Sequence, residues 1–376
     1  MNTESKTIAF VQPYVPAYRK GLFDAIEARL AIDGFDLEVW HAEPEGRAAA
    51  RRNSIHGSWS RLIKQKRIRV GGHNITFRPI LRRARKARVV VAGLASTNLE
   101  TYLLAADPRV TLMLWGQGRN FTASTGSIDA KLESWLCRKA IHVFAYTDEG
   151  RDHLIANGVG ASKVSTVRNT TDTEVLREAQ ASASEDRIQT YKSDLGLEGK
   201  NVAMFVGAFD APKRLPFLFQ ATDLVAEQDP EFRLVLAGAG PLDDYVDEQC
   251  LSRSYASTIG RKDTAELGAF SNVIGVFLMP GRVGLVAVDS LALGVPLVTT
   301  RYAFHAPEAA YLNESNSVWT DDDPVSFADG IAQLFRDPDR MLALRDEARR
   351  NGMDFSMKKS AQVFVSGIYS AGLENE

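Results

Sequence analysis

The chain has 376 residues and a net charge of −2, and 45% of its residues are hydrophobic and 24% charged. This is ordinary globular composition, and the length suffices for two domains. No initial stretch joins a basic start to an apolar core, and the longest apolar segments are interrupted by Pro280, Arg282 and Asp289. We therefore predict neither a signal peptide nor a membrane-spanning helix, and we expect a cytoplasmic protein. Cys137 and Cys250 lie far apart without metal-ligand or redox spacing, so we expect buried thiols.

The first segments predict a strand at 7–12, a helix at 20–30 and a second strand at 35–41, which is the start of a Rossmann-like half. The loop after the first strand carries Tyr14, Tyr18 and Arg19 instead of a Gly-x-Gly-x-x-Gly fingerprint. Such a loop suits an acceptor better than a dinucleotide. The alternative is that the two tyrosines only pack against the end of the helix.

A one-sided basic run follows, because residues 46–98 contain no Asp or Glu. The run predicts a basic surface over residues 47–88 that could meet anionic lipid headgroups, a diphosphate-linked acceptor or nucleic acid. Of these, nucleic acid is the partner we do not expect. Trp59 and Ile63, on a helix predicted near 58–66, would suit shallow insertion into a membrane interface. The alternative is a solvated face balanced by acidic helices elsewhere. The basic residues are Arg47, Arg51, Arg52, Arg61, Lys64, Lys66, Arg67, Arg69, Arg78, Arg82, Arg83, Arg85, Lys86 and Arg88.

The rest of the first half continues the alternation of strands and helices. Strands are predicted at 75–79, 89–92, 111–115, 140–146 and 164–167, and helices at 81–86, 99–106, 128–139 and up to 156. Trp115-Gly-Gln-Gly-Arg-Asn120 ends one strand, and Gln117 there could hydrogen-bond a sugar hydroxyl but could not serve as a general base. Asn169, after the last strand, either contacts ligand or stabilises a polar turn.

A second α/β half is predicted after a linker with a short helix at 174–200. Its first strand, from Asn201 to Gly207, leads to Lys213 and Arg214, which precede a helix that runs to about residue 226. Two cations at a helix N-terminus oppose the helix dipole by about 0.3–1 kcal/mol each when exposed, and a bound anion would remove the conflict. The sequence therefore predicts an anion site at this helix start.

Residues 273–300 carry the strongest functional signal of the sequence. They predict a buried strand, a turn at Pro280-Gly281, an apolar helix at 284–293 that contains Asp289, and a strand at 297–300. In a parallel sheet such a turn lies at the carboxyl end of a strand, where free N–H groups and the helix dipole favour phosphate.

The residue order from 280 to 296, Pro-Gly-x-x-Gly-Leu-x-x-x-Asp-Ser-Leu-Ala-x-Gly-x-Pro, resembles the donor-nucleotide segment of GT-B glycosyltransferases of family 4, the glycosyl transferases group 1. The resemblance implies that Asp289, in place of the usual Glu, grips the ribose. Gly281 stands where the family has a sugar-contacting Glu. The other residues implied in donor nucleotide binding are Gly207, Lys213, Arg214, Gly260, Arg261, Pro280, Val283, Gly284 and Leu285.

The resemblance further implies a fold of two Rossmann-like domains facing a central cleft. They would be an acceptor domain at 1–175, on which a C-terminal helix at 356–376 packs, and a nucleotide-sugar domain at 176–355. The implied reaction is a retaining, metal-independent sugar transfer without a cofactor, from a nucleotide-diphosphate sugar to a lipid-linked or glycan acceptor. Lys213, Arg282 and Gln117 would carry the chemistry, with Arg282 or Arg214 replacing the family Arg that is Ala208 here. Sugar or acceptor contacts would come from Tyr14, Tyr18, Arg19, Gln117, Asn169, His305 and Glu308.

Two alternatives stay open at this stage. One is a nucleotide-sugar epimerase on the same scaffold. The other is a non-catalytic protein that binds a sugar nucleotide or nucleic acid, since a fold does not fix a function. The basic run adds the expectation of peripheral contact with the inner membrane face.

Overall fold

The structure, a computed structural model, describes residues 5–46, 49, 54–70, 73–118 and 127–373. The chain divides into two compact units, an N-terminal unit of Met1–Asn169 with Met357–Glu376 and a C-terminal unit of Thr170–Ser356. Each unit is an α/β domain with its own parallel sheet, so the predicted α/β class is correct. The predicted first boundary at residue 175 falls inside a helix of the C-terminal unit, Thr173–Ala181.

The N-terminal unit is built on a seven-stranded sheet in the order β3-β2-β1-β6-β7-β8-β9, with all neighbours parallel. A separate antiparallel hairpin, β4-β5, lies outside it. The strands are β1 Thr7–Gln12, β2 Asp36–His41, β3 Ser60–Leu62, β4 Lys66–Val70, β5 His73–Phe77, β6 Val89–Gly93, β7 Leu112–Gly116, β8 His142–Ala145 and β9 Val164–Thr166.

Described helices precede β2, β6, β7, β8 and β9, as crossover connections in a parallel sheet require. Thr147 caps the helix after β8 by accepting the Gly150 N–H at 3.1 Å, as predicted. The helices of this unit are α1 Lys20–Ile32, α2 Leu81–Ala84, α3 Leu99–Ala106, α4 Ser127–Lys139, α5 Asp148–Ala156 and the C-terminal helix, Met357–Gly372.

An aromatic cluster joins the C-terminal helix to the sheet of the N-terminal unit. Phe364 lies 5.4 Å from Phe10 and 4.9 Å from Trp115, measured between ring centroids, and is fully buried. Aromatic pairs at these distances add about 0.5–1.5 kcal/mol each beyond the burial of their area. The last helix is therefore a structural part of the first unit.

The predictions for the basic stretch were partly wrong. The helix expected near 58–66 is replaced by the edge strand β3, which pairs with β2 through Val39 and Ser60. Trp59 is fully buried and donates its indole N–H to Asp24 at 3.0 Å, so it cannot insert into a membrane. Arg47, Arg51 and Arg52 lie outside the described residues.

The C-terminal unit has a six-stranded sheet in the order β12-β11-β10-β13-β14-β15, again with all neighbours parallel. The short helix predicted in the 174–200 segment is Glu185–Leu195, but the part expected as a linker holds another helix, Thr173–Ala181. The strands are β10 Asn201–Ala208, β11 Phe232–Ala239, β12 Ala256–Thr258, β13 Val276–Met279, β14 Leu297–Thr300 and β15 Ser317–Thr320. The helices are α6 Thr173–Ala181, α7 Glu185–Leu195, α8 Leu215–Gln228, α9 Asp243–Leu251, α10 Thr264–Phe270, α11 Val286–Leu293, α12 Pro324–Arg336 and α13 Pro338–Gly352. The C-terminal helix of the first unit, Met357–Gly372, is numbered α14.

None of the helices that the structure describes is both long and apolar enough to cross a bilayer.

Candidate functional site

Both sheets reverse their strand order at one point, and each reversal creates a crevice. In the N-terminal unit the chain runs outward from β1 to β3 and resumes on the other side of β1 with β6. In the C-terminal unit it runs from β10 to β12 and resumes beside β10 with β13. Ligands of open α/β sheets bind at the carboxyl ends of the strands at such switch points. The predicted residues after β1, β10 and β13 lie at these two places.

In the C-terminal unit the loops after β10 and β13 are in direct backbone contact. The Arg282 N–H donates to the Pro212 carbonyl at 2.9 Å. A Cβ added at Gly281 would lie 2.4 Å from the Pro212 oxygen and 2.6 Å from the carbonyl carbon of Lys213. This approach leaves no room for a side chain at Gly281. The Glu that the resembled family has at this position could not be accommodated without a shift of the backbone.

Lys213 is held on the turn that follows β13. Its Nζ donates to the Arg282 carbonyl oxygen at 2.7 Å, so the ammonium lies beside the 280–285 turn. The Arg282 side chain is half-buried and its Nε donates to the Phe304 carbonyl at 3.2 Å. The sequence-predicted pair is thus brought together at the switch point.

Arg214 lies directly before α8, as predicted, and its donor contact stays a prediction. It adopts a left-handed φ of 56° and pairs with Asp322, which also accepts from the Thr300 hydroxyl at 2.7 Å. Its guanidinium lies 4.3 Å from the ring of Phe217 and 4.9 Å from that of Tyr302. With a carboxylate partner and two ring contacts, Arg214 braces the loop. Arg282 is the better candidate for the charge that Ala208 lacks.

His305 fixes the same turn through both ring nitrogens. Its Nδ1 accepts the Val283 N–H at 3.1 Å and its Nε2 lies 2.9 Å from the Thr300 carbonyl oxygen, which can only accept. The ring is therefore the neutral Nε2–H tautomer, and burial lowers its pKa. Because both nitrogens are used by the backbone, the role of His305 visible here is structural, and its sugar contact stays a prediction.

Asp289 is buried in the first turn of α11. Its carboxylate accepts the Thr171 hydroxyl at 2.8 Å, and burial raises its pKa to about 7 against the opposing effect of that hydrogen bond. A buried carboxylate with one neutral donor retains acceptor capacity for hydroxyl groups such as those of a ribose. The ribose role stays a prediction.

The remaining predicted residues of this unit surround the same strand ends. Gly207, at the end of β10, has a conformation in which an added Cβ would lie 3.4 Å from Lys213 Cε. The Gly260 carbonyl accepts the Gly238 N–H at 3.0 Å, which places Gly260 and Arg261 after β12 beside the end of β11. Glu308 is buried in the short helix Pro307–Tyr311. An added Cβ at Gly284 meets no described atom within 4 Å, so the turn is open there.

The N-terminal switch point opens into a cavity of about 440 Å³. Four residues predicted for sugar or acceptor contact, Tyr14, Tyr18, Arg19 and Gln117, line it together. The volume lies in the range of about 300–1,000 Å³ that is usual for small-molecule sites. Asn169 is buried elsewhere in this unit, with its N–H on the Tyr146 carbonyl at 3.2 Å.

Several lining residues of this cavity were missed from the sequence. Arg78 belongs to the basic run, yet it is buried in an ion pair with Glu100. Glu133 comes from α4, and burial raises its pKa, with Asp129 adding to the effect. Trp115 was noted only as a strand end. The position of Trp115 at the end of a strand could have indicated that it lines a site, whereas the sequence gives no such signal for Arg78 or Glu133. Arg119 and Asn120 lie outside the described residues.

No group of three or more His, Cys, Asp or Glu residues in the described ranges could hold a metal ion. The independence from metals and cofactors stays a prediction.

Comparison with known proteins shows the fold and a similarity of one segment to a known family. Residues 187–352 match the family model of the glycosyl transferases group 1. The matched segment lies within the C-terminal unit. The D-inositol 3-phosphate glycosyltransferase of Corynebacterium urealyticum is 27% identical over 176 residues, 43% of this chain and 41% of that protein. The protein of the same name from Thermobispora bispora is 25% identical over 252 residues, 59% of this chain and 56% of that protein. The chain thus spans about half the length of these relatives.

Solved structures match over nearly the whole chain. Anabaena HepE in complex with UDP has a TM-score of 0.69 at 14% identity and covers 97% of this chain and 100% of its own. A glycosyltransferase from Rickettsia africae has a TM-score of 0.70 at 13% identity and covers 100% of both chains. At these identities the likeness establishes the fold, which is GT-B.

Proposed function

We propose that this protein is a retaining glycosyltransferase of the glycosyl transferases group 1. It transfers a sugar from a nucleotide-diphosphate donor to an acceptor hydroxyl, in bacterial-type polysaccharide or glycolipid assembly. The observation that carries the proposal is the ammonium of Lys213 fixed 2.7 Å from the Arg282 carbonyl, at a switch point where a phosphate is favoured. Because the similar HepE structure holds UDP, a uridine donor is the first to test.

The proposed chemistry relies on positioning and charge. Lys213, Arg282 and the N-terminus of α11 stabilise the negative charge that develops on the departing diphosphate. The acceptor hydroxyl attacks on the face from which the diphosphate leaves and gives its proton to the departing phosphate oxygen, so the C–O bond to the acceptor replaces the C–O bond to the diphosphate with retention of configuration. Gln117 positions a hydroxyl or the leaving oxygen without taking the proton. No metal or cofactor is invoked.

Incubation of the protein with UDP-, GDP- and TDP-glucose, with release of the nucleoside diphosphate as the readout, tests the proposal. The protein is expected to hydrolyse one of these donors slowly even without an acceptor. Lys213→Ala should raise the donor KM and lower kcat, whereas Lys163→Ala, an exposed lysine of the other unit, should change neither. Unchanged kinetics in Lys213→Ala would remove this residue from the site.

Two other outcomes would favour the alternatives. If UDP raises the melting temperature but no donor is cleaved, the protein is a non-catalytic sugar-nucleotide binder. If the donor sugar returns epimerised and still attached to its nucleotide, the protein is an epimerase.

We further propose that residues 47–88 contact an anionic membrane surface at the inner face, where a lipid-linked acceptor would be found. Part of the run is neutralised, since Arg61 and Arg83 lie 3.2 and 3.8 Å from Glu38. Other basic residues of the run are exposed and have no carboxylate partner among the described residues. Two apolar side chains of the same run, Leu62 and Ile68, are each 58% exposed. These exposed cations are Lys64, Lys66, Arg69, Arg82 and Lys86.

Co-sedimentation with vesicles that contain phosphatidylserine tests the membrane contact. Each cation near such a surface contributes about 1 kcal/mol, so Lys66→Glu with Arg69→Glu should lower the bound fraction strongly at low salt. Reversal of two exposed arginines of the other unit, Arg340 and Arg350, is the matched control. Equal binding by the two double variants would exclude this surface.

A further inference from the structure

The buried guanidinium of Arg19 has no carboxylate within 4.0 Å among the described residues. It is 9% exposed, and its side-chain partners are neutral: Nη1 donates to Gln12 Oε1, Nη2 donates to the Tyr146 hydroxyl at 2.9 Å, and Tyr18 also hydrogen-bonds the guanidinium. Burial of a cation is costly unless an anion compensates it, and neutral oxygens return only part of the lost hydration. Arg19 thus differs from Arg78, which lines the same cavity but is paired with Glu100.

Three buried N–H donors of residues on the cavity lining have no hydrogen-bond partner within the described ranges. They are Arg19 Nε, Arg78 Nε and Trp115 Nε1. Buried donors are rarely left unsatisfied without a reason such as a ligand. The guanidinium carbon lies 4.3 Å from the centroid of the Trp115 ring, so the arginine is held in place by the ring and by Gln12 and Tyr146. The site is therefore built before any ligand arrives.

The remaining lining residues indicate what carries the negative charge. Gln12, Asn98 and Gln117 offer amide donors and acceptors, and Tyr14 and Tyr18 offer aromatic faces with hydroxyl groups. Amides and aromatic rings on a cavity of about 440 Å³ suit a sugar or polyol ring. A small polyhydroxylated molecule with one anionic group matches both the amide and aromatic residues of the lining and the uncompensated charge of Arg19.

We propose that the cavity of the N-terminal unit binds an acceptor that carries a phosphate or a carboxylate on a sugar or polyol, and that Arg19 holds this anionic group. The proposal rests on the proposed function, because it names the acceptor class of that same reaction. It assigns Arg19 to acceptor selection and leaves the donor diphosphate to Lys213 and Arg282.

Isothermal titration calorimetry of the full chain without donor tests this assignment, with glucose, glucose 6-phosphate, glucuronate and inorganic phosphate as probes. We expect an anionic sugar to bind at least tenfold more tightly than glucose. Arg19→Met should abolish that difference, and Arg29→Met, an exposed arginine on α1, should retain it. Loss of inorganic phosphate binding in Arg19→Met would likewise support the anion site, whereas equal affinities for glucose and both anionic sugars would overturn it.

Two further measurements separate a structural role and a donor role. The melting temperature of Arg19→Met without ligand should not fall, because the substitution removes a buried cation that has no anionic partner. If the melting temperature does fall, the second variant, Arg19→Lys, decides. Arg19→Lys must then keep the preference for anionic sugars, and loss of that preference would overturn the proposal. Competitive displacement of the anionic sugar by UDP would assign the site to the donor and overturn it as well.

The proposed function fails separately. If no nucleotide sugar is turned over while the anion preference depends on Arg19, the function is wrong and the cavity assignment stands. If transfer to glucose is as fast as transfer to glucose 6-phosphate and glucuronate, the function stands and this inference is wrong.

Discussion

The contact between the loops after β10 and β13 predicts that Gly281→Ala destabilises the C-terminal unit. The new Cβ would lie 2.4 Å from the Pro212 oxygen, a distance at which one of the two backbones must move. Overpacking of this kind costs about 1–3 kcal/mol, and loss of the Arg282 N–H bond to Pro212, at 2.9 Å, adds about 1 kcal/mol. The expected total is about 2–4 kcal/mol.

Gly284→Ala is the matched control, since its Cβ meets no described atom within 4 Å. It lies in the same loop and makes the same chemical change. For a domain of this size about 1 kcal/mol corresponds to about 2–4 °C. Differential scanning calorimetry should therefore show Gly281→Ala melting about 4–16 °C below wild type and Gly284→Ala within about 2 °C of it.

The same substitution should also change ligand binding at the candidate site. Because Lys213 follows Pro212 directly and donates to Arg282, a displaced loop should weaken UDP binding in Gly281→Ala, measured by calorimetric titration below the melting transition. If both alanine variants melt within 2 °C of each other, the loop contact does not constrain Gly281, and the steric argument against a Glu at this position is refuted.

Three more substitutions test buried polar groups. Asp289→Asn should match wild-type stability near pH 4 and exceed it increasingly up to pH 8, because the folded pKa of about 7 lies above the unfolded value; the gain approaches about 4 kcal/mol at 1.36 kcal/mol per pKa unit. His305→Phe should cost about 2–4 kcal/mol at pH 8 by leaving two backbone groups unpaired. That cost should shrink toward pH 5, because the lowered pKa of His305 already makes wild type less stable below the unfolded histidine pKa. Arg78→Met should cost about 3–5 kcal/mol by leaving buried Glu100 unpaired, and Glu100→Leu in the same chain should restore most of the loss.

Urea unfolding across this pH range checks all three. Parallel stability curves for Asp289→Asn and wild type would contradict the raised pKa of Asp289. A cost of His305→Phe that is the same at pH 5 and pH 8 would contradict a neutral ring. An Arg78→Met variant as stable as its double variant with Glu100→Leu would show that the ion pair is not the reason for burial.

The sequence determined most of the local structure because its signals there are periodic and local. The strands at 7–12 and 297–300 and the helix at 99–106 occur at the predicted residues, since apolar and β-branched runs and helical periodicity specify them. The turn at Pro280-Gly281 and the position of Lys213 before α8 were also readable. These features need only neighbours in the chain.

Tertiary structure alone decided which charged residues lie inside. In the basic run, Arg78 pairs with Glu100 in a buried site while Lys64 and Lys66 stay exposed. Their sequence contexts are alike, and the difference arises from the strand register and from α3, which brings Glu100 to Arg78. Burial of Trp59 likewise follows from Asp24 on a different element.

The two crevices were decided by topology. Composition and motifs indicated which loops carry polar and glycine residues, but only the strand order β2-β1-β6 and β11-β10-β13 shows where the loops meet. Parallel strands bring their carboxyl ends to one edge, and at the reversal of strand order the chain leaves that edge in opposite directions. That geometry places uncompensated Arg19 on a cavity and Lys213 on a turn, and neither arrangement can be derived from residues adjacent in sequence.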